Sequence, residues 1–174
     1  EPKNPRRNHS MGKILTSLLL SMLAASLLCG CNTSGCTDNQ SALPLAGLYS
    51  SSGQAVTVNT IDISGVGAPG DSLLYASGTT LEKIYLPLRS NAEVTSFCFH
   101  YDQEGINGTE LNDTITFRYI SSPYFASEEC GAMLTYHITE LTHTSHLIQS
   151  VELTDPEITN VDIERIKIYF KTSE

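Results

Sequence analysis

The chain has 174 residues, a net charge of −9, five cysteines and no tryptophan. Four of its ten basic residues and one of its nineteen acidic ones precede residue 31, so the remaining 144 positions (174 minus 30) hold six and eighteen, a net charge of −12. That length suits one ordinary domain with a single core, and that charge repels phosphate backbones, so nucleic acid is excluded as the expected partner.

Residues 1–10 precede the first methionine, Met11, and read as an unusual leader or as translated upstream sequence. Residues 14–31 carry no charge and follow Arg6, Arg7 and Lys13, the order of a basic n-region and an apolar h-region. The run ends in Leu28-Cys29-Gly30-Cys31, where a small residue precedes a cysteine, as in a bacterial lipobox. Residues 1–30 are therefore expected to leave as leader and signal peptide, with Cys31 carrying the lipid. Two or three acyl chains anchor firmly where one is marginal. A transmembrane helix would need about 20 apolar residues, and this run is slightly short. Cys29, preceded by Leu28, is the weaker candidate for modification.

Residues 31–52 are rich in Ser, Thr, Asn and Gly, as a polar tether would be, with only Leu43-Pro44-Leu45 and Leu48-Tyr49 able to start a core. Residues 53–174 read as one all-β domain. β-Branched and aromatic runs at 54–63, 72–76, 80–86, 94–101, 113–120, 133–141, 147–153 and 162–170 predict the strands. Gly65 to Gly70, Ser77-Gly78, Asn107-Gly108, Ser122-Pro123 and Asp155-Pro156 supply the breaks. Ile115, Phe117 and Tyr119 share one face, and near the end Ile163, Ile166, Ile168 and Phe170 mostly alternate with Glu164, Lys167 and Tyr169, with a bulge expected at Glu164-Arg165. Ile115, Phe117, Tyr119, Ile166 and Ile168 should be among the buried positions. The predicted fold is an antiparallel β-sandwich of seven to eight strands, with a small β-barrel as the alternative.

Three cysteines remain after Cys31, which allows one disulfide and one free thiol in an oxidising compartment. Cys98 lies among apolar strand residues that suit a buried thiol. Cys36 and Cys130 both sit in polar, Gly-containing loops, and a bridge between them would pin the start of the domain to a later loop. Three free thiols or a metal site are the alternatives to that pairing.

Signals for chemistry are sparse. His137, His143 and His146 invite a zinc reading, but a turn at 142–146 would leave two of the rings in solvent. Residues 101–110 are acidic without the ligand order of a calcium loop. No serine lies in a Gly-x-Ser-x-Gly elbow, Glu128 and Glu129 would diverge along an extended chain, and Gly65 to Gly70 is a turn rather than a phosphate cradle. The expectation is a non-enzyme without catalytic residues, cofactor or metal.

Cys31 with Cys36 close behind, Leu86-Pro87-Leu88, Phe97-Cys98-Phe99, Asp113-Thr-Ile-Thr-Phe117, Phe125-Ala-Ser-Glu-Glu-Cys-Gly131 and Ile166-Lys-Ile-Tyr-Phe170 follow one another along the chain. In that order they resemble a family of short Bacteroidetes lipoproteins of unknown function, domain of unknown function 6452. The resemblance implies an envelope address, the Cys36 and Cys130 pairing, and no catalytic residues. Bacteria of that group attach sugars at Asp-Ser/Thr followed by an apolar residue, which makes Ser72 and Thr114 candidate O-glycosylation sites. The function expected is a lipid-anchored module, held through its anchor at the outer membrane on its periplasmic or surface face, that binds an envelope protein or glycan or assists assembly. A hydrolase with a dispersed site and a carrier of small lipophilic ligands are the alternatives.

Overall fold

A computed structural model of the chain describes residues 41–171. Cys29, Cys31, Cys36 and the whole expected leader lie outside the described residues. The described chain is all-β. Its strands are β1 (Leu45–Ser50), β2 (Ile61–Gly65), β3 (Leu73–Tyr75), β4 (Lys83–Tyr85), β5 (Val94–Tyr101), β6 (Asp113–Ser127), β7 (Gly131–His143), β8 (Ile148–Leu153), β9 (Glu157–Ile158) and β10 (Glu164–Phe170). They form a four-stranded sheet in the order β4-β1-β10-β8 and a six-stranded sheet in the order β3-β2-β5-β6-β7-β9. The chain passes from one sheet to the other six times, so the two sheets are interleaved along the sequence.

The inward faces follow the period-two pattern of the sequence. Ile115, Phe117, Ile166 and Ile168 are fully buried and Tyr119 nearly so, as the alternation predicts. Phe97 meets Phe117 edge-on at 6.0 Å, and Tyr119 meets Tyr136 edge-on at 5.4 Å, the geometry that aromatic quadrupoles favour. The bulge expected near Glu164 is present. Leu45 faces Glu164 and Ala46 faces Ile166, which leaves Arg165 as the extra residue.

Several expectations are corrected. The tether of 31–52 ends earlier than expected, because β1 lies within it. Ala46 and Leu48 are buried, and β1 pairs with β10 in parallel, so the domain begins before residue 53 and the sandwich is not wholly antiparallel. The run at 54–63 yields a strand only from Ile61; before it, single bridges join Ala55 to Tyr49 and Val58 to Leu81. Ser122-Pro123 does not end a strand. β6 runs through it, with Pro123 opposite Leu134 of β7. The missing N–H is tolerated because β5 pairs with β6 only as far as Arg118, and beyond that β6 is an edge. Cys98 is a free thiol but is only half-buried, since the alternation that buries Phe97 and Phe99 turns it to the outer face.

Candidate binding face and supporting centres

The outer face of the four-stranded sheet is the most organised polar surface of the fold. Alternation sends Lys83 and Tyr85 of β4, Gly47 and Tyr49 of β1, Lys167 and Tyr169 of β10, and Glu152 of β8 outward, and Glu164 at the bulge joins them. Each of the three tyrosine hydroxyls donates to a carboxylate: Tyr49 to Glu164 at 2.6 Å, Tyr169 to Glu152 at 3.0 Å and Tyr85 to Asp162 at 2.9 Å. Lys83 Nζ lies 3.2 Å from the other oxygen of Glu164. The Tyr49 and Tyr169 rings stand 5.5 Å apart at 34°, with Lys167 Nζ 5.8 Å from the Tyr49 ring centre. The hydrogen bond to Glu164, with burial adding to it, pushes the Tyr49 phenol up to about 12. Tyr169 and Tyr85 are raised for the same first reason, through Glu152 and Asp162.

Gly47 makes room for this arrangement. A Cβ there would fall 2.5 Å from Glu164 Oε2 and 2.8 Å from the Tyr49 ring, so any side chain would displace the carboxylate that orders the face. The sequence reading placed Glu164, Lys167 and Tyr169 outward on the last strand but missed their partners on β1. The outward Gly47 and Tyr49 between the buried Ala46 and Leu48 are the signal that could have found them.

Two buried centres hold the sheets in register. Asp113, with no exposed surface, accepts five hydrogen bonds. Its Oδ1 receives the Thr144 hydroxyl and the His146 N–H, each at 2.8 Å. Its Oδ2 receives the Tyr101 hydroxyl at 2.8 Å, the Leu147 N–H at 2.7 Å and the Ile148 N–H at 2.8 Å. Burial pushes this carboxyl upward, yet the backbone and phenol donors outweigh it and hold the group below the usual carboxylate range. The side chain thus fixes the crossover from β7 to β8. Arg165, 6% exposed, does the same for the segment before β10, reaching Asp155 at 3.2 Å, the Val161 carbonyl at 2.9 Å and the Thr159 hydroxyl at 3.3 Å.

A cleft of about 590 Å³ opens at one end of the sandwich, lined chiefly by Val56, Val58, Ile61, Ile106, Leu147 and Phe170. Lys171 stands at its rim, its ammonium donating to the Ser145 and His146 carbonyls.

The structure separates the other sequence candidates. His137 pairs across strands with Glu157, His143 Nδ1 lies 2.7 Å from the Thr144 carbonyl, and His146 Nδ1 lies 2.8 Å from the Asn112 carbonyl. Among the described residues, no three metal-ligating side chains converge. Ser72 is exposed beside the 3₁₀ turn at Pro69–Asp71. Thr114 is half-buried on β6, and the Asp113 carboxylate of its motif is sequestered by the five donors. Cys130 lies in the turn between β6 and β7, while Cys36 falls outside the described residues. Glu128 and Glu129 are exposed in that same turn, not on an extended strand.

Across residues 60–170 the chain matches the model of a family described as a family of unknown function (DUF6452), which is more than half of its length. The chain belongs to that family. No curated protein and no solved structure matches it.

Proposed function

We propose that this protein is a lipid-anchored, non-catalytic binding module of the cell envelope, carried on an acylated Cys31 at the outer membrane, and that its outer tyrosine and carboxylate face receives a glycan. The uncharged run ending in Gly30-Cys31 supports the anchor. An oxidising, exported setting would let Cys130 form a disulfide. Its partner in this reading is Cys36. Ser41 and Ala42 line one cavity with Ala132 to Leu134, so the chain enters the fold beside Cys130. Five residues span at most about 18 Å, enough for Cys36 to reach it.

One observation carries the binding assignment: tyrosines, lysines and carboxylates are locked together on a sheet face that no layer covers among the described residues. Lys83 and Lys167 nearly offset the charges of Glu164, Glu152 and Asp162 there, and each carboxylate already holds a tyrosine hydroxyl, so the face offers little net attraction to a charged polymer. A neutral, polyhydroxylated surface can use the rings for its C–H faces and the charged groups for its hydroxyls.

Mass spectrometry of the membrane-extracted protein tests the anchor and should find diacylated Cys31 as the first residue; an unmodified Cys31 would overturn it. Co-sedimentation of the purified domain with envelope polysaccharide tests the face. Tyr169→Ala should weaken retention about tenfold, or 1.4 kcal/mol, the loss typical of a central aromatic contact. Unchanged retention, or a protein as the sole cross-linked partner, would remove the glycan assignment. The end cleft favours a second reading, a carrier of small apolar ligands, since its volume lies in the range of such sites. Enhanced fluorescence of a lipophilic dye, lost on Val58→Asp, would support that reading; no dye binding would dismiss it.

A further inference from the structure

The ribbon of β6 and β7 outruns its neighbour. β5 leaves β6 at Arg118, while β6 and β7 stay paired to Ser127 and Gly131. On this extension Ile120 is 59% exposed, Tyr124 47% and Phe125 63%. Ile120 and Tyr124 share one face, and Phe125 points to the other. Large apolar side chains are thus displayed on both faces near one tip, and residues 119–134 include no lysine or arginine.

The position of the anchor says what meets this tip. The described chain begins at Ser41 against Ala132 to Leu134, beside Phe125, which pairs with Ala132. Cys31 precedes Ser41 by ten residues, a reach of at most about 35 Å. With Cys36 bridged to Cys130, only five residues separate the acylated cysteine from the hairpin turn, at most about 18 Å. We propose that the β6–β7 hairpin tip rests in the bilayer interface, with Tyr124 and Phe125 among the headgroups and upper acyl chains. This inference rests on the anchor and bridge proposed above. Tyrosine and phenylalanine suit that depth, tyrosine because one end is apolar and the other wet. Glu128 and Glu129 on the turn remain in headgroup water and direct the tip to a zwitterionic lipid surface, since an anionic one would repel them.

The absence of tryptophan provides a background-free probe. The full chain, processed and acylated in its host cell, would be reconstituted into phosphatidylethanolamine and phosphatidylcholine vesicles with part of the lipid brominated on its acyl chains. Single reporters would be Phe125→Trp and Tyr124→Trp at the tip, and Thr109→Trp as a control in the β5–β6 connection at the other end of those strands. Both tip reporters should emit to the blue of the control and lose intensity to brominated lipid, while Trp emission from the control stays unquenched. Protein that floats with the vesicles but shows the tip as unquenched as the control overturns the hairpin inference and leaves the anchor standing. A blue shift without quenching does so too, because the tip would then be covered by protein. Protein that fails to float at all overturns the anchor and the inference with it.

Discussion

Replacing Asp113 by asparagine removes the charge from the most heavily hydrogen-bonded side chain in the fold while nearly preserving its shape. The new amide must present its NH₂ to one of two donor sets. Turned toward Leu147 and Ile148 it would face two backbone N–H groups at 2.7 and 2.8 Å; turned toward Thr144 and His146 it faces one, because the Thr144 hydroxyl can rotate. The second orientation is cheaper. It still leaves the His146 N–H unsatisfied, at about 1–3 kcal/mol, and removes charge assistance from the three bonds to the other oxygen, at about 1 kcal/mol each. Easier burial of a neutral amide offsets part of this, for a net loss of about 3 kcal/mol. Against a total of about 5–15 kcal/mol that loss is large. In urea it should lower the midpoint by about 1.5 M at a slope near 2 kcal/mol/M. The difference between the two proteins also depends on pH in a defined sense. A carboxyl depressed in the folded state stabilises it fully above the ordinary aspartate value of 3.8 and loses that contribution as pH falls through the depressed folded value. The gap should therefore be constant at neutral pH and close only in strong acid. A loss under about 1 kcal/mol, or a gap that closes near pH 6, would refute the account of Asp113 as an ionised staple.

The remaining expectations concern the outer face, the bridge and the buried arginine. Glu164→Gln should bring the Tyr49 phenol down from about 12 toward the ordinary 10, read as an earlier rise at 295 nm in alkaline titration. Gly47→Ala should cost about 1 kcal/mol in chemical denaturation and lower the same phenol, because its methyl group takes the place of Glu164. Cys36→Ser should leave two titratable thiols, Cys98 and Cys130, instead of one in the lipidated protein, and opening a loop of 95 residues (36 to 130 inclusive) should cost about 4 kcal/mol. Arg165→Ala should destabilise by about 3 kcal/mol or more by stripping Asp155 and the 159–161 segment of their shared partner, with proteolysis beginning in that segment.

What could be read from the residues and what could not divide along physical lines. Period two is a local property, so Ile115, Phe117 and Tyr119 announced their burial, and the interrupted alternation at Glu164-Arg165 announced a bulge. The same rule applied to Cys98 would have placed it outward, but its apolar neighbours were read as one continuous run. β1 was hidden because Leu43 to Ser50 is short and follows a polar stretch, and its stability comes from a strand 119 residues later, Leu45 facing Glu164. Pro123 was read as a break because whether a missing N–H matters depends on which side of the strand is an edge, and that is a property of the sheet. Asp113 looked like half of a sugar-attachment motif, since nothing local reveals that the backbone amides of residues 146–148 converge on it. The outer face was invisible for the same reason as β1: half of it belongs to a strand that only its distant partner defines.

The parallel pairing of β1 with β10 also bears on how the protein is made. These are the first and last strands of the described chain, and together they form the middle of the smaller sheet. Antiparallel neighbours can zip from a short turn, whereas this pair must close a loop of more than a hundred residues before its first contact is rewarded. Until Ile166 and Ile168 leave the ribosome, β1 has no partner on its second edge, and the smaller sheet cannot be completed. The nascent chain is therefore kept from completing its fold until its last strand is present. For the exported protein proposed above, that delay would keep the polypeptide in the loose, threadable state that a translocation pore requires.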